Sequence, residues 1–159
     1  MRRVVVTGIG LLSSIGIGKE ETWNNLLNGK SGIKKIDNFN TDDFPCKIAG
    51  YISNNENSNN YFDITSHLDS REIKRNDRFI QYGIVAAKMA VEDAGIQNLS
   101  ENDKLNTGVI AGSGIGGLET IYNGALTINN SGPRKLSPFF IPSSLINLLS
   151  GQISIKYGF

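Results

Sequence analysis

Three glycines in the second half of the sequence have the spacing of a phosphate-binding turn. Gly112, Gly114 and Gly117 match G-x-G-x-x-G, after an apolar run and before a predicted helix. In a dinucleotide-binding domain, such glycines let a pyrophosphate approach the N-terminus of the helix. That arrangement also needs a strand ending in Asp or Glu about 20 residues further on, where the sequence reads SGPRKLSPFF from Ser131 to Phe140. We therefore interpret the glycines as a tight turn with close chain packing, and keep a dinucleotide-binding domain as an alternative.

A cluster of cations in the middle of the chain is a second candidate for binding. It consists of Arg71, Lys74, Arg75 and Arg78. Their spacing of three or four residues places them on one face of a helix that we predict from Asp69 to Ala94. They lie near the N-terminus of that helix, where the helix dipole disfavours positive charge. The cluster therefore indicates either a solvated face or a docking surface for an acidic partner.

Neighbouring charges bear on these two interpretations. Glu72 and Asp77 would partly neutralise a solvated face. Arg134 and Lys135, in a loop rich in Gly and Pro, would extend a docking surface instead. The net charge is only +1, from 16 basic and 15 acidic residues, so general binding of polyanions such as nucleic acid is not expected.

Residues that could act as nucleophiles or metal ligands are few. Cys46 is the only cysteine and His67 the only histidine. No helix start follows Cys46 to lower the pKa of its thiol, and no spacing brings Cys46 and His67 together. The sequence also lacks the ligand spacing of a zinc site and the Gly-x-Ser-x-Gly elbow of a hydrolase. The residues by themselves therefore indicate no metal site and no nucleophile.

Apolar runs that end at glycines predict an α/β chain. Val4–Val6 and Thr107–Ala111 are rich in β-branched residues, which is typical of strands buried on both faces. A shorter strand is predicted within Lys47–Ile52. The predicted helices span residues 20–27, 69–94, 118–128 and 142–157.

Small residues refine these helices. Gly29, Gly95 and Gly158 are expected to end the first, second and last helix. The second helix also carries a stripe of small side chains, which lets another backbone approach it closely. The stripe consists of Gly83, Ala86, Ala87, Ala90 and Ala94.

The length of 159 residues fits one domain, and we see no internal boundary. Residues 53–60 form a polar, Asn-rich segment, predicted to be a surface loop. No apolar run approaches the roughly 18 residues of a membrane span. The N-terminus reads as a first strand that breaks at Gly8, not as a signal peptide. A cytoplasmic protein without membrane contact is expected.

Taken together, several segments resemble the N-terminal part of the β-ketoacyl-acyl carrier protein synthases, most closely those of the synthase II type. Ile115 within Gly-Ser-Gly-Ile-Gly-Gly favours synthase II over synthase I. The resemblance covers nearly the whole chain except the Asn-rich segment. The matching stretches are Arg2–Gly10, Glu21–Trp23, Ser31–Ile33, Asp77–Val85, Gly112–Gly117 and Gly132–Phe159.

This resemblance implies the layered thiolase fold, with two related α/β halves and usually a homodimer. Residues 1–159 would form the N-terminal part of the first half. The family's cysteine nucleophile, two histidines and a lysine lie further along such enzymes, and neither Cys46 nor His67 matches them. The chain stops just as its final predicted helix is complete. We therefore expect an incomplete domain that is inactive by itself.

The resemblance also implies a function and site residues. The family transfers an acyl group to a cysteine and condenses it with malonyl-acyl carrier protein in fatty acid elongation, without a redox cofactor. Ile115 and Phe140 match positions that line the acyl pocket, the second reaching across the dimer interface. The positions that match carrier-protein docking residues are Arg71, Lys74, Arg75, Arg134 and Lys135. A fragment that only dimerises or binds carrier protein is the non-enzymatic alternative.

Overall fold

The computed structural model describes residues 2–53, 56 and 61–159, which divide into two compact units. The first unit comprises the residues up to Ile64 together with Lys88–Gly95. The second comprises Thr65–Ala87 together with Ile96–Phe159. The sequence shows no such boundary because the division falls inside one continuous helix, where composition does not change.

Two short hairpins and one helix make up most of the first unit. Strands β1 (Leu12–Ser13) and β2 (Gly16–Ile17) pair antiparallel, and helix α1 (Lys19–Leu27) follows. Strands β3 (Ile33–Lys35) and β4 (Ile48–Gly50) also pair antiparallel. The predicted first helix and the short strand near residue 48 are confirmed, and Gly29 follows α1 with a φ of 62°.

A close backbone approach fixes the segment before the first hairpin. Helix α3 (Arg78–Ala94) ends in this unit. A Cβ atom added to Gly8 would lie 2.6 Å from the backbone nitrogen of Ala94. The Asp93 carboxylate accepts the Ile9 N–H at 2.9 Å and also pairs with Lys19. The predicted small-residue stripe is therefore confirmed at its C-terminal end.

The two strands predicted from β-branched runs do not form. Val4–Val6 and Thr107–Ala111 have no regular secondary structure and no strand pairing. Val4 and Val6 are 94% and 81% exposed, and Ile110 is fully exposed. The β preference of such residues reflects packing against neighbouring strands, not an intrinsic backbone preference. Among the residues described here, no strand pairs with either run, so the prediction of two buried strands is wrong for this structure.

The second unit begins with two helices where one was predicted. Helix α2 (Ser70–Arg75) ends at Asn76, whose backbone is extended at φ −122° and ψ 136°. The Asn76 side chain donates to the Glu72 carbonyl at 2.9 Å. Asp77 then accepts the Phe79 N–H at 3.3 Å and starts α3. Asn and Asp prefer helix ends because their side chains compete for backbone hydrogen bonds, which breaks the predicted helix.

The C-terminal part of this unit is helical. Helix α4 (Glu101–Leu105) precedes α5 (Leu118–Ser131), and a 3₁₀ turn at Pro133–Lys135 leads to α6 (Phe140–Ser144). Helix α7 (Asn147–Tyr157) ends at Gly158, which has a φ of 75°.

The last predicted helix is interrupted in the structure. We predicted one helix from residue 142, but Leu145 is extended, with φ −80° and ψ 133°, between α6 and α7. The interruption leaves the Ser144 carbonyl outside the backbone hydrogen bonds of either helix. That carbonyl accepts the Gly117 N–H at 3.1 Å instead. The predicted stop at Gly158 is confirmed.

Apolar side chains of α3 and α7 form the core of the second unit. Ile80, Ile84 and Val85 are fully buried, and Leu149 and Ile153 are nearly so. A Cβ atom on Gly83 would overlap the Leu149 side chain. The small-residue stripe therefore also admits a packing partner in this unit.

The predicted surface loop at 53–60 lies mostly outside the described residues. Its first residue, Ser53, is buried and forms a bridge with Tyr61. Among the described residues, no helix combines the length and apolarity needed to cross a membrane.

Candidate functional site

The five predicted docking residues lie on two short elements of the second unit. We call them the basic patch: Arg71, Lys74, Arg75, Arg134 and Lys135. All five are exposed. The second element lies close to α2 because Phe139, which Arg75 of α2 contacts, is only four residues from Lys135. The Cα atoms of Lys135 and Phe139 are therefore at most about 14 Å apart.

A capping box holds the first of these elements in place. Asp69 Oδ1 accepts the N–H groups of Arg71 and Glu72 at 2.7 and 2.8 Å. Glu72 Oε2 accepts the Asp69 N–H at 3.2 Å in return. The backbone hydrogen bonds from Glu72 and Arg71 hold the pKa of Asp69 below its ordinary value of 3.8. This reciprocal cap stabilises a helix of only six residues.

The carboxylates expected to neutralise the patch are engaged elsewhere. Glu72 Oε1 lies 2.7 Å from Lys156 Nζ, and Asp77 accepts hydrogen bonds from Thr120. In the described part of the chain, the three cations of α2 have no ion pair. A solvated face neutralised by Glu72 and Asp77 is therefore the weaker interpretation.

Arg78 does not belong to this face. It starts α3, after the break at Asn76, and its guanidinium lies 3.2 Å from Glu119 Oε2. The prediction that Arg78 shares one helix face with the other three cations is wrong, because the helix is interrupted between them.

The basic patch adjoins the aromatic pair that follows Pro138. The Arg75 guanidinium carbon lies 4.8 Å from the centroid of the Phe139 ring, which is a cation–π contact. Phe139 is still 37% exposed. Arg75 and Phe139, with Pro142 and Gln152, line a cleft of about 460 Å³ beside α2. The structure thus brings the α2 cations to the loop that carries Phe140.

The two predicted pocket residues are held in different ways. Phe140 is half-buried, and a Cβ atom on Gly124 would lie 2.9 Å from its Cδ2 atom. Ile115 is 68% exposed and lies in the turn between Gly112 and α5. Sequence reasoning missed Gly124, which belongs to no motif and is recognisable only from its contact with the Phe140 ring.

The glycine motif is a packing turn in this structure. Gly116 has a φ of 80° and donates to Ser113 Oγ at 3.0 Å. A Cβ atom on Gly117 would lie 2.6 Å from the Ser144 Cα atom, whereas Gly112 and Gly114 have nothing within 4 Å. Of the three motif glycines, close chain packing is therefore confirmed at Gly117 and is absent at Gly112 and Gly114, while the neighbouring Gly116 forms the turn.

Asp77 is a buried residue whose role the sequence did not indicate. Its Oδ2 atom accepts the Thr120 N–H at 2.9 Å and the Thr120 hydroxyl at 2.6 Å. It therefore joins the start of α3 to the first turn of α5. The Asn-Asp pair at 76–77 is the signal that could have identified it.

The other candidates do not form a site. Cys46 is exposed, and its thiol donates to the Ile48 carbonyl at 3.4 Å. Within the described ranges, no three His, Cys, Asp or Glu residues are grouped so that they could hold a metal ion.

Comparison with known proteins identifies the family. The sequence pattern described as "Beta-ketoacyl synthase, N-terminal domain" matches residues 1–159. The 3-oxoacyl-[acyl-carrier-protein] synthase 2 of Rhizobium meliloti (strain 1021) is 45% identical over 99% of this chain and 37% of the relative. The protein of the same name from Vibrio cholerae serotype O1 is 43% identical over 99% of this chain and 36% of its own length. The chain thus spans little more than a third of these relatives.

Solved structures agree on the fold. The ishigamide ketosynthase/chain length factor superposes with a TM-score of 0.76 at 30% identity, over 98% of this chain and 37% of that one. A β-ketoacyl synthase from Burkholderia phymatum STM815 gives 0.73 at 18% identity, over 99% and 37%. The predicted α/β fold class, part of the layered thiolase-like architecture, is confirmed. The chain belongs to the β-ketoacyl synthase family and carries its N-terminal domain.

Proposed function

We propose that this chain acts within a β-ketoacyl-acyl carrier protein synthase II, an acyltransferase of fatty acid elongation. The observation that carries the proposal is the 45% identity, over 99% of the chain, to a protein named 3-oxoacyl-[acyl-carrier-protein] synthase 2. The second unit supports it, because uncompensated cations lie beside an aromatic loop there.

The basic patch is proposed to dock acyl carrier protein loaded with acyl or malonyl groups. An acidic partner is steered by exposed positive charge, and complementary charges fix its orientation. The α2 cations suit this role because Glu72 is engaged with Lys156 and, among the described residues, none of the three cations forms an ion pair. Lys74 and Arg75 lie in the last turn of α2, where the helix dipole favours positive charge, so the dipole penalty expected from a longer helix does not apply to them.

Ile115 and Phe140 are proposed to line the acyl pocket. An apolar side chain that is 68% exposed, on a turn anchored at both ends, suits a wall that an acyl chain would cover. Phe140 is proposed to reach the pocket across the interface of a homodimer. Its ring is backed by Gly124, which leaves room for it on α5.

The chemistry of the proposed reaction is acyl transfer followed by condensation. The acyl group moves from the carrier thioester to a cysteine thiolate. Malonyl-carrier protein then loses carbon dioxide, and the resulting carbanion attacks the acyl thioester. The carbon–carbon bond forms as the carbon–sulfur bond breaks, which releases β-ketoacyl-carrier protein and the free thiol. Neither Cys46 nor His67 matches the family's catalytic positions, so we propose that the 159-residue chain is inactive alone.

Release of carbon dioxide from labelled malonyl-carrier protein tests this assignment. The full-length protein should release it at a rate that depends on an acyl primer, and the 159-residue chain should not. Primer-dependent release by the chain alone would contradict the proposed inactivity. Absence of release by the full-length protein would contradict the proposed function.

The alternatives are not favoured. Dinucleotide binding lacks support because residues 131–140 hold the end of α5, a 3₁₀ turn and the start of α6, where a second strand with an acidic end would be required. A fragment that only binds carrier protein or dimerises would use the same basic patch, and release of carbon dioxide by the full-length protein distinguishes the enzyme from it. A cytoplasmic location remains part of the proposal.

A further inference from the structure

One buried carboxylate connects the start of α3 with the first turn of α5, the helix that follows the turn carrying Ile115. Asp77 is only 7% exposed. Its Oδ2 atom accepts both the N–H and the hydroxyl of Thr120, and Oδ1 accepts the Phe79 N–H at 3.3 Å. Both carboxylate oxygens are thus used, and each faces the positive end of a helix.

The turn that carries Ile115 depends on backbone anchors. Because Ile115 is 68% exposed, packing of its own side chain does not hold it. The turn is fixed by Ser113 Oγ, by the Ser144 carbonyl and by the first turn of α5. Gly117, which ends the turn, is so close to Asp77 that an added Cβ atom would lie 3.3 Å from Asp77 Oδ2.

We propose that Asp77 is a positioning residue that fixes Ile115 at the wall of the acyl pocket and thereby sets the acyl-chain length that the enzyme prefers. This role rests on the proposed function, since it requires Ile115 to line that pocket. Asp77 touches no reacting atom and acts only through Thr120 and the turn.

A carboxylate suits this position better than its amide. Asp77 accepts hydrogen bonds on two sides with two oxygens, whereas Asn has one oxygen and would turn an N–H towards another N–H. Charge-assisted hydrogen bonds are also shorter and stronger than neutral ones. Replacing Asp77 by Asn should therefore loosen the first turn of α5 and let Ile115 move away from the pocket.

The test compares kcat/KM for a long and a short acyl-carrier primer in the full-length protein. In Asp77→Asn, the ratio of kcat/KM for the long primer to kcat/KM for the short primer should rise about tenfold. That is the lower end of the discrimination that one methylene gives in a hydrophobic pocket. A purely structural role would lower both values equally and leave the ratio unchanged.

A second variant tests the positioning role of Asp77 if Asp77→Asn does not fold. Thr120→Val removes only the hydroxyl donor and should raise the same ratio, by less than Asp77→Asn. Thr120→Ser keeps the hydroxyl and should leave the ratio at the wild-type value. Glu119→Gln is the matched control, because it removes the exposed ion pair to Arg78 one residue away. Its ratio should stay at the wild-type value.

A third variant separates failure of this inference from failure of the proposed function. Ile115→Phe narrows the pocket directly and should lower the ratio. If Ile115→Phe lowers it while Asp77→Asn and Thr120→Val leave it unchanged, the positioning role is overturned and the pocket assignment stands. If all three leave it unchanged, Ile115 does not line the pocket and both assignments are overturned.

Discussion

Individual side chains determine which charges of the second unit remain available. Glu72 pairs with Lys156 at 2.7 Å, and Asp77 is occupied by Thr120. Arg75 lies over the Phe139 ring, and no carboxylate among the described residues forms an ion pair with it. A partner that approaches α2 therefore meets net positive charge, although the chain as a whole carries only +1.

The basic patch can be tested by charge reversal in the full-length protein. Replacing Arg71, Lys74 and Arg75 by Glu should raise the KM for acyl-carrier protein roughly tenfold or more, because steering raises association rates by about 10- to 1,000-fold. The effect should shrink at high salt, which screens exposed charges. Steady-state kinetics at two ionic strengths measures both. Lys30→Glu, a single reversal at an exposed site of the first unit, is the control for each single reversal in α2, and an equal rise there would contradict the docking role.

Helix α2 exists as an element because its N-terminus is capped. Asp69 accepts two backbone N–H groups, which favours its ionised form and lowers its pKa. The stabilisation is therefore fully present above the ordinary pKa of 3.8 and is lost as the pH falls through the lower pKa of the folded protein.

A carboxyl titration followed by NMR tests the cap. The Asp69 midpoint should lie below 3.8. Asp69→Asn should keep the helix, because Asn caps about as well as Asp, but should remove its pH dependence in this range. A midpoint at or above 3.8 would show that the capping hydrogen bonds do not form.

The turn before α5 offers a matched pair of glycines. Gly117→Ala would bring a Cβ atom within 2.6 Å of the Ser144 backbone, and such overpacking costs about 1–3 kcal/mol of unfolding free energy. Gly112→Ala should cost almost nothing, since nothing lies within 4 Å of Gly112. Denaturant unfolding of the chain measures both variants. Equal losses would mean that the motif serves something other than packing against α6.

Local signals predicted some elements well and others poorly. The helix stops at Gly29, Gly95 and Gly158 depend on residues close in sequence, and the structure confirms them. The interruption at Asn76 has a local signal, the Asn-Asp pair at 76–77, which a prediction from periodicity overlooks, whereas the interruption at Leu145 has none. Contacts distant in sequence accompany both. Asp77 binds Thr120, and the Ser144 carbonyl binds Gly117. Periodicity carries no information about either contact.

At the scale of the whole molecule, the chain carries apolar segments that its own described residues do not cover. Val4–Val6 and Ile110 are exposed although their composition is that of buried strands. The chain spans 37% of the length of the Rhizobium meliloti relative. We expect further chain, in a protein of that length, to cover these segments and to supply the nucleophile.

Packing across the whole molecule also accounts for what the sequence could not predict about the site. The family resemblance pointed to the basic patch, Ile115 and Phe140 through motifs that are continuous in sequence. It did not indicate the Arg75–Phe139 contact, the support of Phe140 by Gly124, or the bridge from Asp77 to Thr120. Most of these contacts join residues far apart in sequence, so they emerge only when the helices are packed together.

The most direct test of the central claim is the mass of the acyl-carrier product formed by the full-length protein. With an acyl primer and malonyl-carrier protein, we predict a β-ketoacyl product that is two carbons longer than the primer. The 159-residue chain alone should leave the primer unchanged. A full-length protein that binds both carriers yet leaves the primer unextended would contradict the assignment as a condensing enzyme.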